Sequence, residues 1–212
     1  MGAERSRGAS TRTEKHLVWD KTQFFEYPAQ ETTLLDYPHE VEHAAVRIGR
    51  LERSIDAAIE SLPVKMRAVI EALQSLRGIA QISAVSIMAE LGEFSPFEYP
   101  RQLVGYSGAV SQEHSSGERI RCGAISKAGN AHLRRITVGK TLTAGQRRSS
   151  ATVTAMAWKA QHRLHQLYAC LVARGKCKQQ AVTALGRELL GFIWAIGVQV
   201  EREENAPLRQ GA

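Results

Sequence analysis

Val41, Ala44, Ile48, Leu51, Ile55, Ala58 and Leu62 recur at alternating spacings of three and four residues. This is the a/d seam of a heptad repeat, with Glu42, Arg47, Arg50, Glu52 and Arg53 around it. A seam that holds a 3.5-residue period without drift suits a coiled coil or a helical-hairpin arm; the same pattern also serves an amphipathic helix folded onto its own domain. Pro63 ends or bends this helix, and residues 65–76 read as a further short one. Farther along, Met156, Ala160, Leu164, Leu167 and Leu171 make one apolar helical face, with Gly175 placed as its C-cap. Residues 179–200 read as a second long helix, apolar on most sides and so suited to a core. Between these blocks, residues 94–100 read as a loop, 101–106 as a short helix and 107–110 as a turn. Strong two-residue alternation is absent, so the expected fold is mainly α.

Residues 1–38 lack such periodicity. Ser, Thr, Arg and Glu dominate the first fifteen, followed by Trp19, Phe24, Phe25 and Tyr27 and by prolines at 28 and 38. A poorly structured arm is expected there, its aromatics free to form a short strand or to dock on a partner. The expected organisation is therefore an N-terminal arm over residues 1–38, a coiled-coil or helical arm over 39–75, a compact helical domain over 76–200 and a tail over 201–212.

Composition narrows the class. With 212 residues, 43% of them apolar and 23% charged, the chain can bury one sizeable core with an attached arm. The longest apolar run, residues 189–198, lies between Glu188 and Glu201 and is about half the ~20 residues needed to span a bilayer, so no membrane partner is expected. The first twelve residues are polar and hold Glu4, Arg5, Arg7 and Arg12, unlike a secretory signal. Three cysteines without a C-x-x-C argue against a disulfide framework and a structural zinc site. A bacterial cytoplasmic location is expected.

The net charge of +7 is unevenly spread. Residues 117–148 hold eight cations (Arg119, Arg121, Lys127, Arg134, Arg135, Lys140, Arg147 and Arg148) and a single carboxylate, Glu118. Such a block is an electrostatic footprint for a polyanion, most simply nucleic acid, although a solvated basic face has the same composition. The aspartates are Asp20, Asp36 and Asp56 alone. Two-metal nuclease chemistry needs several carboxylates converging on cations roughly 4 Å apart, so a complete site of that kind is not expected.

Leu76-Arg77-Gly78-Ile79-Ala80 followed by an apolar stretch to Gly92 reads as helix, tight turn and second helix, with small Ala84 at the crossing. This is like a helix-hairpin-helix, whose turn and second-helix N-terminus aim backbone N–H groups at a phosphate. Arg77 and Gly78 are accordingly candidate contacts. Ala80 stands where that motif has its second glycine, and a plain αα-corner fits the same residues.

The densest pattern is Arg101-Gln102-Leu103-Val104-Gly105-Tyr106-Ser107-Gly108, then Glu113-His114-Ser115-Ser116-Gly117, then Ile125-Ser126-Lys127-Ala128-Gly129-Asn130 and Leu133-Arg134-Arg135. Arg187-Glu188-Leu189-Leu190-Gly191-Phe192-Ile193-Trp194 follows near the C-terminus. In this order the elements resemble the C-terminal transposase domain of the one-ten family of bacterial insertion sequences, the DEDD transposases; with the helical arm the resemblance covers roughly residues 40–200.

The resemblance implies DNA transposition directed by a structured guide RNA. It also implies a RuvC-like domain that binds divalent metal through four acidic ligands, a coiled-coil middle, and a serine that attacks a phosphodiester. That serine corresponds to Ser116, with Ser115 the neighbouring alternative. No cofactor is expected in this chain, because the RuvC-like half has no counterpart here and metal is expected only there; the stretch after Leu133 also looks shorter than in the family. The chain is thus expected to be a truncated form, inactive alone.

The residue types suit the role. Gly117 gives Ser116 an exposed, flexible backbone, and Arg119 and Arg121 follow to stabilise a charged phosphorus centre. A serine hydroxyl still needs a base or metal to activate it. His114 is close in sequence. Lys127, Asn130, Arg134 and Arg135 are candidate clamps on the nucleic-acid backbone, at a turn leading into a helix. DNA, a guide RNA and a second copy of the chain, joined through residues 41–62, are the expected partners. Two other classes compete: a non-catalytic nucleic-acid-binding module on the same fold, and a helical self-association protein. Gly139-Lys140-Thr141, the His162/His165 pair and Cys170 with Cys177 are read as a chance P-loop ending, an incomplete ligand pair and ordinary core or surface residues.

Overall fold

A computed structural model describes residues 14–113, 122–139 and 149–206. Among these residues there are eight helices and one two-stranded sheet, a mainly α fold. The chain divides into two compact units, Met1–Ala58 and Ile59–Ala212.

In the first unit, α1 spans Glu14–Lys21 and α2 spans Pro28–Ser61, running past the unit boundary. Helix thus occupies most of residues 14–38 of the expected poorly structured arm, whose residues 1–13 lie outside the described residues. Pro28 stands first in α2, where a missing N–H costs nothing and the fixed φ suits a helix. Glu31 lies in the first turn, near the positive end of the dipole. The Thr32 and Thr33 hydroxyls donate to the carbonyls of Pro28 and Ala29 at 3.0 and 2.8 Å. The helix continues through Pro38, which forfeits one backbone hydrogen bond but is itself buried. The Lys21 ammonium donates to the Glu42 carboxylate, and this bond and its charge lower the pKa of Glu42. Along α2, Val41, Ile48 and Leu51 are about half exposed at 50%, 56% and 51%; Ala44 and Ala58 are exposed and Ile55 is half-buried.

The second unit is organised around α8, Lys178–Asn205. Its buried residues include Leu185, Leu189, Ile193, Ile196 and Val200 on one stripe, with Gly186, Leu190 and Gly197 beside them. Two adjacent stripes let a single helix receive α3 (Val64–Leu73), α5 (Pro100–Tyr106), α6 (Ala131–Gly139) and α7 (Ala151–Ala173). By length and composition α8 could also cross a bilayer; here much of it is core, buried by these neighbours.

Small residues set the close approaches. A Cβ on Gly197 would lie 2.4 Å from the ring of fully buried Phe94, and one on Gly186 would lie 3.0 Å from Val138. The loop that begins at Phe94 is fastened to the same helix. Glu201, only 3% exposed, accepts from the backbone N–H groups of Phe94 and Ser95 at 2.8 and 2.9 Å. Trp194 Nε1 donates to the Phe97 carbonyl at 2.7 Å.

Between α3 and α4 (Gln81–Leu91) the chain turns through Leu76 and Ile79, both buried, and Gly78 at φ +95°. Ala80 sits at φ −87° and ψ 171°, extended backbone that any residue adopts, so alanine there carries no strain. Ala84 is fully buried. The strands β1 (Ser111–Glu113) and β2 (Cys122–Ile125) pair antiparallel, Ser111 opposite Ile125 and Glu113 opposite Cys122, with an irregularity between. Strands of three and four residues are too short for two-residue alternation to stand out in the sequence.

Candidate functional site

The turn that ends α5 and the turn that opens α6 are built against each other. Lys127 N–H donates to the Gly108 carbonyl at 3.1 Å, Asn130 N–H to Tyr106 at 2.8 Å, and Ser126 N–H to Val110 at 2.8 Å. Arg134 Nη1 donates across the junction to the Ser107 carbonyl at 2.7 Å and to Lys127 at 3.3 Å. Two glycines permit the approach. A Cβ on Gly108 would lie 2.6 Å from the Ala128 carbonyl oxygen, and one on Gly129 would lie 2.4 Å from that of Tyr106. Their φ values, +68° and +142°, fall where side chains are strained. Thus Tyr106-Ser107-Gly108 and Ser126-Lys127-Ala128-Gly129-Asn130, separate motifs in sequence, form one backbone junction.

Strands β1 and β2 leave from this junction, β1 after the first turn and β2 before the second. Residues 114–121 connect them in sequence. That segment holds Ser115 and Ser116, along with His114, Arg119 and Arg121, and it lies outside the described residues. Lys140, Arg147 and Arg148 also lie outside them.

The described candidates fall into two groups. Asn130 is half-buried and faces the protein: its Oδ1 accepts from Leu133 N–H at 2.9 Å, an N-cap of α6, and its Nδ2 donates to the Glu90 carboxylate at 2.5 Å. Tyr106 OH donates to the Glu90 carbonyl at 3.2 Å, so α4 is tied to the junction twice. Arg134, also half-buried, spends its Nη1 on the two carbonyls. Lys127 and Arg135, by contrast, are exposed. Lys127 stands at φ +56°, the one non-glycine residue with positive φ among those described; the left-handed conformation costs roughly 1–2 kcal/mol. Arg135 Nη2 lies 3.0 Å from His132 Nδ1. On the α3–α4 turn, Arg77 is exposed and Gly78 buried.

Sequence reasoning missed Glu90, whose carboxylate fixes Asn130, and the pairing of Arg187 with Ser111 Oγ at 2.9 Å. Arg187 opens the motif that ends at Trp194, but nothing in its spacing points to Ser111. Among the described residues no three His, Cys, Asp or Glu side chains gather into a possible metal site. His162 stacks on Trp158 with ring centroids 5.7 Å apart, and Cys170 and Cys177 are exposed free thiols.

Residues 70–163 match the family described as "Transposase IS116/IS110/IS902 family". A putative transposase, y4qE, of Sinorhizobium fredii is 36% identical over 203 residues, which are 89% of this chain and 48% of that protein. A probable family 20 transposase of Pseudomonas aeruginosa is 34% identical over 105 residues, 50% of this chain and 30% of the relative. The transposase for insertion sequence element IS1111A of Coxiella burnetii is 29% identical over 147 residues, 66% of this chain and 38% of the relative. The chain thus spans at most about half the length of these curated relatives.

Two adjacent arginines should behave differently. Arg134→Ala leaves two carbonyls of the junction without their donor and should destabilise the fold by about 1–3 kcal/mol, while exposed Arg135→Ala should change stability by less than about 0.5 kcal/mol. Urea unfolding of both variants checks this; equal effects would remove Arg134 from the junction.

Proposed function

Since the chain carries a C-terminal transposase domain of the IS116/IS110/IS902 family, we propose that it is the nucleic-acid-binding, serine-bearing portion of an insertion-sequence transposase. The observation that carries this reading is the backbone junction. It anchors both strands that flank the Ser115-Ser116 segment, and it presents Lys127 to solvent on its second turn, with Arg135 exposed on α6 just after it. A rigid base for a nucleophile and exposed cations beside it are what phosphodiester chemistry on DNA requires.

In this reading DNA is held chiefly through its phosphates by the basic residues 117–148, and a structured guide RNA selects the sites. Arg77 and the turn at Gly78 add a backbone contact of the helix-hairpin-helix kind. The Ser116 hydroxyl oxygen bonds to phosphorus, the bond from phosphorus to one bridging sugar oxygen breaks, and the hydroxyl proton passes to a base. Arg119 and Arg121 offset the charge on the pentacovalent phosphate. Divalent metal would supply activation in relatives that hold a RuvC-like domain. Among the described residues no three possible ligands converge as a metal cage. The chain belongs, in this proposal, with the chromosome in a bacterial cytoplasm.

Self-association through residues 41–62 is a second part of the proposal. It is supported by the apolar seam of Val41, Ile48 and Leu51, which stays about half exposed along α2. A second copy would bury it.

Trapping of denaturation-resistant DNA–protein adducts tests the chemistry. The 212-residue chain alone should bind DNA and form no adduct. Together with the acidic metal-binding domain of a relative and that relative's RNA, it should form one that Ser116→Ala abolishes and Ser115→Ala retains. Adducts from the chain alone would overturn its inactivity, and adducts that survive Ser116→Ala would move the nucleophile. A non-catalytic module would bind DNA and form none under either condition.

Sedimentation tests the seam. The wild type should be a dimer at tens of micromolar, and Ile48→Asp with Ile55→Asp should make it a monomer, because unpaired charge at a buried seam is costly. A monomeric wild type would contradict self-association.

A further inference from the structure

From Arg119 to Arg187 the sequence contains no Asp or Glu, while it holds fourteen Lys and Arg. Eight of these cations belong to the block before residue 149; the other six are Lys159, Arg163, Arg174, Lys176, Lys178 and Arg187. Three of the six, Arg174, Lys176 and Lys178, crowd into the turn between α7 and α8, where all are exposed.

That turn forms one end of a groove of about 650 Å³, well within the roughly 300–1,000 Å³ of ligand clefts. One wall is β2 at Gly123, Ala124 and Ile125, where the first two, having little or no side chain, leave room. The other is the start of α8, with Gln179, Gln180, Thr183 and Arg187. Among the described residues no carboxylate lines it. Among the described residues the side chains of Lys176, Gln179 and Gln180 have no hydrogen-bond partner. Among the described residues Arg187 pairs only with neutral Ser111 Oγ, which engages one of its five N–H donors. The ion pair on the next residue, Glu188 with Arg163, involves no residue that lines the groove.

We propose that this groove, between β2 and the first turns of α8, holds a DNA backbone, with Lys176 and Arg187 on its phosphates and the amides of Gln179 and Gln180 beside them. The inference rests on the nucleic-acid reading above and extends it to cations and amides outside residues 117–148, on which that reading draws. Two cations and two amide donors without a carboxylate select a polyanion, and they grip the backbone rather than base edges. The groove follows one wall of the hairpin whose strands flank Ser116, so a strand lying in it runs along the element that carries the proposed nucleophile. That continuity favours DNA, the molecule to be attacked, over the guide RNA.

The test uses the full chain and fluorescence anisotropy with a fluorescein-labelled DNA duplex of random sequence, titrated over a range of salt. Gln180→Glu is nearly isosteric and lies in the first turn of α8, where an acid favours the helix, so the fold is preserved. It should weaken DNA binding about tenfold or more, because it sets a carboxylate against phosphate. Lys176→Gln should lower the slope of log affinity against log salt by about one. Gln166→Glu makes the same charge change on the exposed part of α7 outside the groove, and should change affinity less than about twofold.

If wild type binds DNA and Gln180→Glu and Lys176→Gln bind as it does, the groove is wrong while the nucleic-acid reading stands. If Gln166→Glu weakens binding equally, net charge rather than the groove governs and the proposal falls. If the variants lose only an RNA of the same sequence, the occupant is RNA and the DNA assignment is overturned. A wild type that binds no DNA overturns both the groove and the reading beneath it.

Discussion

Two stretches of backbone, at Tyr106-Ser107-Gly108 and at Ala128-Gly129-Asn130, lie so close that neither glycine could carry a side-chain carbon without striking a carbonyl oxygen or amide nitrogen of the other. Such an approach removes polar backbone groups from water, and each must find a partner within the protein. The partners come from the junction itself: Lys127 and Asn130 N–H groups meet carbonyls of the first turn, and Arg134 covers those of Ser107 and Lys127. Because the short sheet begins and ends at these turns, its position follows from the junction more than from its own few ladder bonds; an isolated two-stranded hairpin is marginal in water. The strained Lys127 backbone persists for the same reason, since its neighbours on both sides are held.

The junction in turn rests on the helices. Asn130 joins it to α4 through Glu90 and caps α6 through Leu133 N–H. α6 lies against α8 where Gly186 leaves space for Thr137 and Val138. Farther along α8, Gly197 admits the Phe94 ring and Glu201 takes up two backbone N–H groups of the loop that follows α4. Burial of the Glu201 carboxyl group is tolerable because both its oxygens accept hydrogen bonds. One long helix thus sets the places of α3, α5, α6 and α7, and the junction sets the hairpin.

Much of the helical framework was legible in the sequence because burial on one face repeats every three or four residues. That holds for the face of α7 from Met156 to Leu171 and for α8; in α2 the apolar seam has the same period but stays largely exposed. The beginning of α2 was not legible. Pro28 and Pro38 suggest breaks, yet a proline at a helix start is harmless and one inside costs a single hydrogen bond that the rest of a 34-residue helix outweighs. Transposase kinship was legible from ordered motifs, since many spaced elements must agree at once. The use of individual residues within those motifs was less so. Asn130 and Arg134 have the chemistry of phosphate ligands, but hydrogen-bonding side chains serve a buried carbonyl or a helix cap equally well, and spacing does not distinguish the two. The groove beside α8 draws Ser111, Ile125, Lys176 and Arg187 from four separate stretches, a proximity that no local pattern announces.

The two glycine turns form a rigid junction, and native-state hydrogen exchange reads it residue by residue. The amide protons of Ser126, Lys127 and Asn130, bonded to the carbonyls of Val110, Gly108 and Tyr106, are the reporters. They should be protected to within about tenfold of the buried α8 amides, opening only when the unit unfolds as a whole. Exchange of these three amides at unprotected rates while α8 stays protected would show that the turns open independently, and would contradict a junction that fixes the hairpin.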